Sequence, residues 1–74
     1  AHAALAAAAA AAIAALPPRT REVFAMSRGE GRTYAEIAAA LGITVKAVEA
    51  NMARALRLLR ERLADHLPPG RAER

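Results

Sequence analysis

Gly42-Ile43-Thr44 separates two stretches that both read as helix, and no other feature so narrows what this chain can fold into. Upstream, Thr33-Tyr34-Ala35-Glu36 has the form of a capping box. In that motif the threonine hydroxyl takes a free N–H of the first turn while the glutamate reaches back to the threonine N–H. Ile37, Ala38 and Leu41 then fall on one face, and Gly42 is predicted to stop the helix in the left-handed conformation that L side chains resist. Thr44 suits the N-cap of the next helix. Ile43 just before it and Val48 four residues after it have the spacing of a hydrophobic staple, which fixes the angle at which the chain enters that helix. Val48, Met52, Ala55, Leu56, Leu59 and Leu63 recur at helical spacing, so the second helix is predicted to reach about Asp65 or Leu67. Two helices joined by so short a glycine turn describe a helix-turn-helix.

The flanks complete an all-α expectation: a small helical bundle, winged-helix-like in its helices but without a sheet. Pro17-Pro18 ends any preceding helix near Leu16 and seats a proline at the start of a new one. That helix is predicted from Pro18 to Ser27 or Arg28, with Val23, Phe24 and Met26 inward and Arg19, Arg21 and Glu22 toward water. Arg28-Gly29-Glu30-Gly31-Arg32 reads as a loop. Residues 1–16 hold twelve alanines, a composition that favours helix but specifies little, so they read as a helix or linker ahead of a domain spanning 17–67. Pro68-Pro69-Gly70 stops the last helix, and 68–74 reads as a disordered tail.

Several functions are poorly served. A chain of 74 residues holds one small core and no roomy cleft. Without cysteine it has neither disulfides nor thiolate metal sites, and His2 and His66 stand near opposite ends, so no metal or other cofactor is expected. Ser27 has no base nearby, no paired-histidine or carboxylate cluster is present, and Gly29-Glu30-Gly31 is too short for a nucleotide fingerprint. Neither catalysis nor a small-molecule substrate is expected. The longest apolar run, the 14 residues from Ala3 to Leu16, is too short to span a bilayer and lacks the basic flank of a signal peptide. The expectation is a cytoplasmic protein without membrane insertion, and the missing initiator methionine reads as a fragment of something longer.

The charge points elsewhere. Eleven basic residues, ten of them arginine, against seven acidic ones leave a net charge of +4. Arginine suits phosphate and guanine because its planar fork donates two hydrogen bonds at once, although a GC-rich genome also enriches arginine. At 100° per residue, with Val48, Met52, Leu56 and Leu59 turned inward, the outer face of the second helix carries Lys46, Ala50, Ala53, Arg54 and Arg57, with Ala47 beside it. Small residues between cations let a helix sit close to a groove floor, and in a helix-turn-helix the second helix enters the major groove. Arg54 and Arg57 reach bases or phosphates, Arg60 the backbone, and Asn51 at one side a base edge or a phosphate. Glu49, on the other side, is placed to orient an arginine or to accept from cytosine. Tyr34 either packs on the turn or offers its hydroxyl to a phosphate, and Thr33 opens a helix whose N–H groups suit an anion. Arg32 and Thr44 complete the set of candidate DNA contacts.

Leu16 to Leu63 resembles region 4 of the sigma-70 family, most of all its extracytoplasmic-function group. The resemblance rests on L-P-P-R-x-R-E-V-F, on T-Y-A-E-I-A with L-G-I before the turn, and on V-E-x-x-x-A-R-A-L-R in the second helix, in that order and spacing. The last piece is similar to the subgroup serving iron-uptake signalling through TonB-linked receptors. The resemblance implies a recognition helix, Val45 to about Leu63, that reads the minus-35 promoter element. It also implies docking on the β flap of RNA polymerase through an apolar groove drawn from Val23, Phe24, Leu41, Leu56 and Leu59, and an anti-sigma factor covering the same surfaces. Ala47 and Ala50 stand where relatives often carry polar or basic residues, which implies fewer base contacts and more reliance on DNA shape. The region that melts promoters is not in this sequence. Two other readings fit the residues: the DNA-binding output domain of a two-component response regulator, which the A-R-A-L-R-L-L-R-E-R-L tail disfavours, and a helical module binding an acidic protein.

Overall fold

The computed structural model describes residues 2–66, four helices with no strand among them. The expected tail (68–74) and its Pro68-Pro69-Gly70 stop lie outside that range, as does the side chain of His2. The helices are α1 (His2–Ala14), α2 (Pro18–Phe24), α3 (Tyr34–Leu41) and α4 (Val45–Arg62). Helix α4 is the hub, because α1, α2 and α3 all pack against it.

Local chemistry sets the ends of these elements. Pro18 opens α2 at its first turn, where the missing N–H costs nothing. The capping box of α3 is complete: the Glu36 N–H donates to Thr33 Oγ1 at 3.1 Å, and the Thr33 N–H donates to Glu36 Oε1 at 2.9 Å. Gly42 closes α3 at φ 68°, and the Ile43 N–H donates to the Ala38 carbonyl at 3.0 Å, the wide bond of a Schellman turn. Thr44 caps α4 by accepting the Ala47 N–H at 3.0 Å. Ile43 packs on the core that contains Val48, so the staple is formed.

The core is small and apolar. Val23, Ile37 and Val48 are fully buried and cluster with Ala38 and Met52, while Phe24, Met26, Leu41 and Ile43 pack around the edge. The inward stripe of α4 departs from the expected one toward its C-terminal end, where Leu59, like Leu56, is only half-buried. Ala55 is 0% exposed. Adjacent helix positions point about 100° apart, so the stripe through Val48, Met52 and Ala55 carries Leu56 round toward its edge.

Three segments depart from expectation. Helix α2 continues as a π-helical turn, Ala25–Gly29, where an α-helix and then a loop were expected. The Glu30 N–H donates to Ala25 O at 3.1 Å, and Gly31, at φ 67°, turns the chain so that the Arg32 N–H meets Met26 O at 3.0 Å. Helix α4 ends at Arg62, short of the expected Asp65 or Leu67, and a 3-10 turn, Ala64–His66, follows. The alanine-rich stretch takes the helical form of the two expected, but instead of standing ahead of the bundle it packs on it. Ala12 and Leu16 are buried, and α1 lies against α4. Two arginines hold its C-terminal carbonyls: Arg21 Nη1 donates to Ala14 O at 2.9 Å and Arg62 Nη1 to Ala12 O at 3.3 Å. Cations at a helix C-terminus also answer its partial negative charge.

Candidate nucleic-acid interface

Because the inner stripe of α4 is committed to the core, its opposite face is open. Lys46, Ala50, Ala53, Arg54 and Arg57 are all exposed there, with Arg60 toward one edge and Glu61 near the C-terminal end. Ala47 lies half-buried at the margin. Lys46 and Arg57 stand roughly 16 Å apart along the axis at ~1.5 Å per residue, so the cations form a stripe rather than a cluster. The alanines between them keep the middle of the stripe low.

The pairing of charges separates this face from the remaining cations. Among the described residues the ion pairs are Arg19 with Glu22 at 3.3 Å and Arg32 with Glu30 at 2.9 Å. Neither touches α4, so Lys46, Arg54, Arg57 and Arg60 carry charge that no carboxylate pairs within those residues. Unpaired cations on a protruding helix raise the local positive potential and draw polyanions toward it.

The two helix N-termini also differ. That of α3 is occupied: Glu36 places a carboxylate over the Thr33 N–H. Helix α4 has no acidic residue in its first turn, and Thr44 engages only the Ala47 N–H. Its remaining first-turn N–H groups, with the helix dipole behind them, suit a phosphate oxygen.

The ten residues expected to contact DNA therefore fall into distinct settings. Lys46, Ala50, Arg54 and Arg57 share the open face of α4, with Ala47 at its margin. Thr44 is exposed at the head of that helix, its hydroxyl oxygen serving as the cap. Tyr34, 36% exposed, and Thr33 sit at the start of α3; the capping box takes the Thr33 N–H and an acceptor site on its hydroxyl oxygen, leaving the hydroxyl proton to donate. Arg32 is exposed with its Nε held by Glu30. Asn51 is turned away from the open face. Its Nδ2 donates to Ala47 O at 2.9 Å, and its Oδ1 accepts the Thr20 hydroxyl at 2.9 Å. An amide so engaged is a tie inside the protein. Thr20 itself, 1% exposed, escaped the sequence reading, because a threonine in a first helical turn gives no sign of a distant partner.

A small all-helical bundle whose second helix-turn-helix element projects an unpaired cationic face is a DNA-binding domain of the helix-turn-helix class. A family model described as "Sigma-70, region 4" matches residues 6–59, and the chain belongs to that family. The match begins inside α1, in keeping with the packing of that helix on α4. No curated protein and no solved structure matches the chain significantly. Membership makes this a DNA-binding module of a sigma factor, with promoter DNA and RNA polymerase as its partners, in a family of DNA-binding domains rather than of enzymes. Among the described residues no helix is long and apolar enough to cross a membrane.

Proposed function

We propose that this domain reads the minus-35 element of promoters as the C-terminal part of a bacterial sigma factor of the extracytoplasmic-function type, directing transcription initiation in the cytoplasm. The observation that carries the reading is the open face of α4, where unpaired Lys46, Arg54 and Arg57 alternate with Ala50 and Ala53. The small side chains let the helix approach the floor of the major groove. Lys46 and Arg54 then reach base edges, Arg54 with the fork that matches guanine O6 and N7. Arg57 and Arg60, further along, meet the phosphates that set the register, and the N-terminus of α4 receives another.

The polymerase β flap docks on apolar side chains left partly open, namely Phe24, Leu41, Leu56 and Leu59. Val23 drops out of that group because it is fully buried. An anti-sigma factor covering the same surfaces regulates the domain.

Selection of the chain against a random duplex library at two salt concentrations tests the reading. One short, non-palindromic motif is the expected result. Two phosphates neutralised, by Arg57 and Arg60, give a slope of log K against log salt of about −1.8. A palindrome would point instead to a dimeric regulator. Failure to bind any duplex at low salt would leave an acidic protein as the partner of the cationic face.

A further inference from the structure

Thr20 is the one buried polar side chain among the described residues. Its hydroxyl lies 2.9 Å from Asn51 Oδ1, and this is the only hydrogen bond there that joins α2 to α4. The direction of each bond follows from its acceptor. A backbone carbonyl accepts only, so the Asn51 amide must turn Nδ2 toward Ala47 O, 2.9 Å away. That leaves Oδ1 facing Thr20, whose hydroxyl must donate. Ala47 is thereby held twice, its carbonyl by the Asn51 side chain and its N–H by Thr44 Oγ1 at 3.0 Å. A chain of directional bonds thus runs from α2 through Thr20 and Asn51 to the first turn of α4, the turn that carries Lys46.

The remaining contacts around this junction are apolar, through Val23, Val48 and Met52. Apolar burial is non-directional, and methionine adapts its shape, so these contacts set the rotation of α4 on α2 less sharply than a hydrogen bond does. A hydrogen bond is directional. A rotation of ~10° carries an arginine head ~9 Å from the helix axis through about 1.5 Å, enough to spoil a bidentate contact with a base edge.

We infer that Thr20 and Asn51 are positioning residues for base readout: their buried bond sets the rotation of α4 on α2, and with it the direction in which Lys46, Ala50 and Arg54 face DNA. The inference rests on the promoter-reading function proposed above. It also assigns Asn51 a part in sequence specificity without contact to DNA.

Thr20→Val exchanges one hydroxyl for a methyl, Thr20→Ser keeps the donor, and Thr20→Val with Asn51→Leu removes both polar partners. Replacing both partners of a buried hydrogen bond by apolar groups of similar shape is close to neutral for stability. The double variant is therefore expected to melt close to wild type. Its ratio of affinity for the selected duplex over a scrambled duplex is expected to fall roughly five- to tenfold, while affinity for the scrambled duplex and the salt slope hold. Thr20→Ser is expected to retain the wild-type ratio. Residual dipolar couplings of α2 and α4 amides, measured without DNA, are expected to show α4 reoriented in both Thr20→Val backgrounds. Thr20→Val alone carries the test should the double variant not fold. A folded variant lacking the bond, with wild-type couplings and a wild-type ratio, overturns the inference, as does a loss of specificity that merely tracks melting temperature. A wild-type chain with no sequence preference would sink the promoter reading and the specificity role together. The couplings would then still decide whether the bond orients the helix.

Discussion

Two alanine variants at Gly42, one L and one D, separate the torsional demand of the turn from its steric surroundings. Gly42 sits at φ 68°, and a Cβ built there meets nothing within 4 Å. A methyl group therefore clashes with no neighbour, and the whole cost of L-alanine is its left-handed backbone, about 1–2 kcal/mol. Loss of glycine's freedom in the unfolded chain returns about 0.4–1 kcal/mol. The L variant is thus expected to lose up to about 1.6 kcal/mol. D-Alanine prefers positive φ, so it keeps the entropic gain without the strain and is expected to stabilise by about 0.4–1 kcal/mol. At ~4–8 °C per kcal/mol for a domain of this size, the two melting temperatures should stand about 5–15 °C apart on opposite sides of wild type. Circular dichroism melts of synthetic chains make the comparison. Equal melting temperatures would mean that residue 42 is not left-handed in solution. A large fall in both would mean that something packs where the structure shows space. Either result would remove the physical basis for the angle between α3 and α4.

Ala55→Leu, at a position that is 0% exposed, should overpack the junction beneath α4 and cost about 1–3 kcal/mol; Leu56→Asp, half-buried at the stripe's edge, should cost less in the same melt, and the reverse order would return Leu56 to the core. Arg54→Ala should weaken binding to the selected duplex by about 1–3 kcal/mol and relax preference at one base pair, whereas Arg57→Ala should weaken all duplexes alike and reduce the salt slope by about 1. Interchange of those two patterns would exchange the two arginines' roles.

The features legible in the sequence are those whose partners lie within a turn or two. Thr33 and Glu36 are three residues apart, and so are Thr44 and Ala47. Gly42 is identified by the conformation it alone accepts cheaply. These local rules place the helix-turn-helix before any tertiary contact is known. The missed features depend on distance or on small side chains. Thr20 and Asn51 are 31 residues apart, and Arg62 reaches Ala12 across 50. No spacing rule links such residues, so Asn51 reads as a free amide on a helix flank. Alanine is equally silent: Ala12 and Ala55 are buried because helices pass close to them, while their exposed neighbours of the same type look identical in sequence. The pairing of Arg32 with Glu30 depends on how Gly31 turns the chain, which composition alone does not reveal.

Internal use of polar groups bears directly on how this domain selects DNA. The fold has spent the amide of Asn51 on Thr20 and Ala47, the N–H of Thr33 on Glu36, and the Nε of Arg32 on Glu30. On the open face of α4 the proposed reading leaves base edges to Lys46 and Arg54, and the exposed alanines beside them offer only methyl groups. A good bidentate contact discriminates by about 1–3 kcal/mol. On the reading proposed above, the fork of one arginine supplies roughly 5- to 150-fold preference and a lysine, a point charge without that fork, adds less, which leaves the total near the foot of the ~10³–10⁷ range of dedicated DNA readers. The unpaired cations supply affinity for any duplex more readily than preference among duplexes. Selectivity of this kind suits a domain that holds polymerase at a site in concert with other contacts, where several weak preferences multiply. It also places a premium on the aim of the few side chains that do read, which is where the buried tie between α2 and α4 acts.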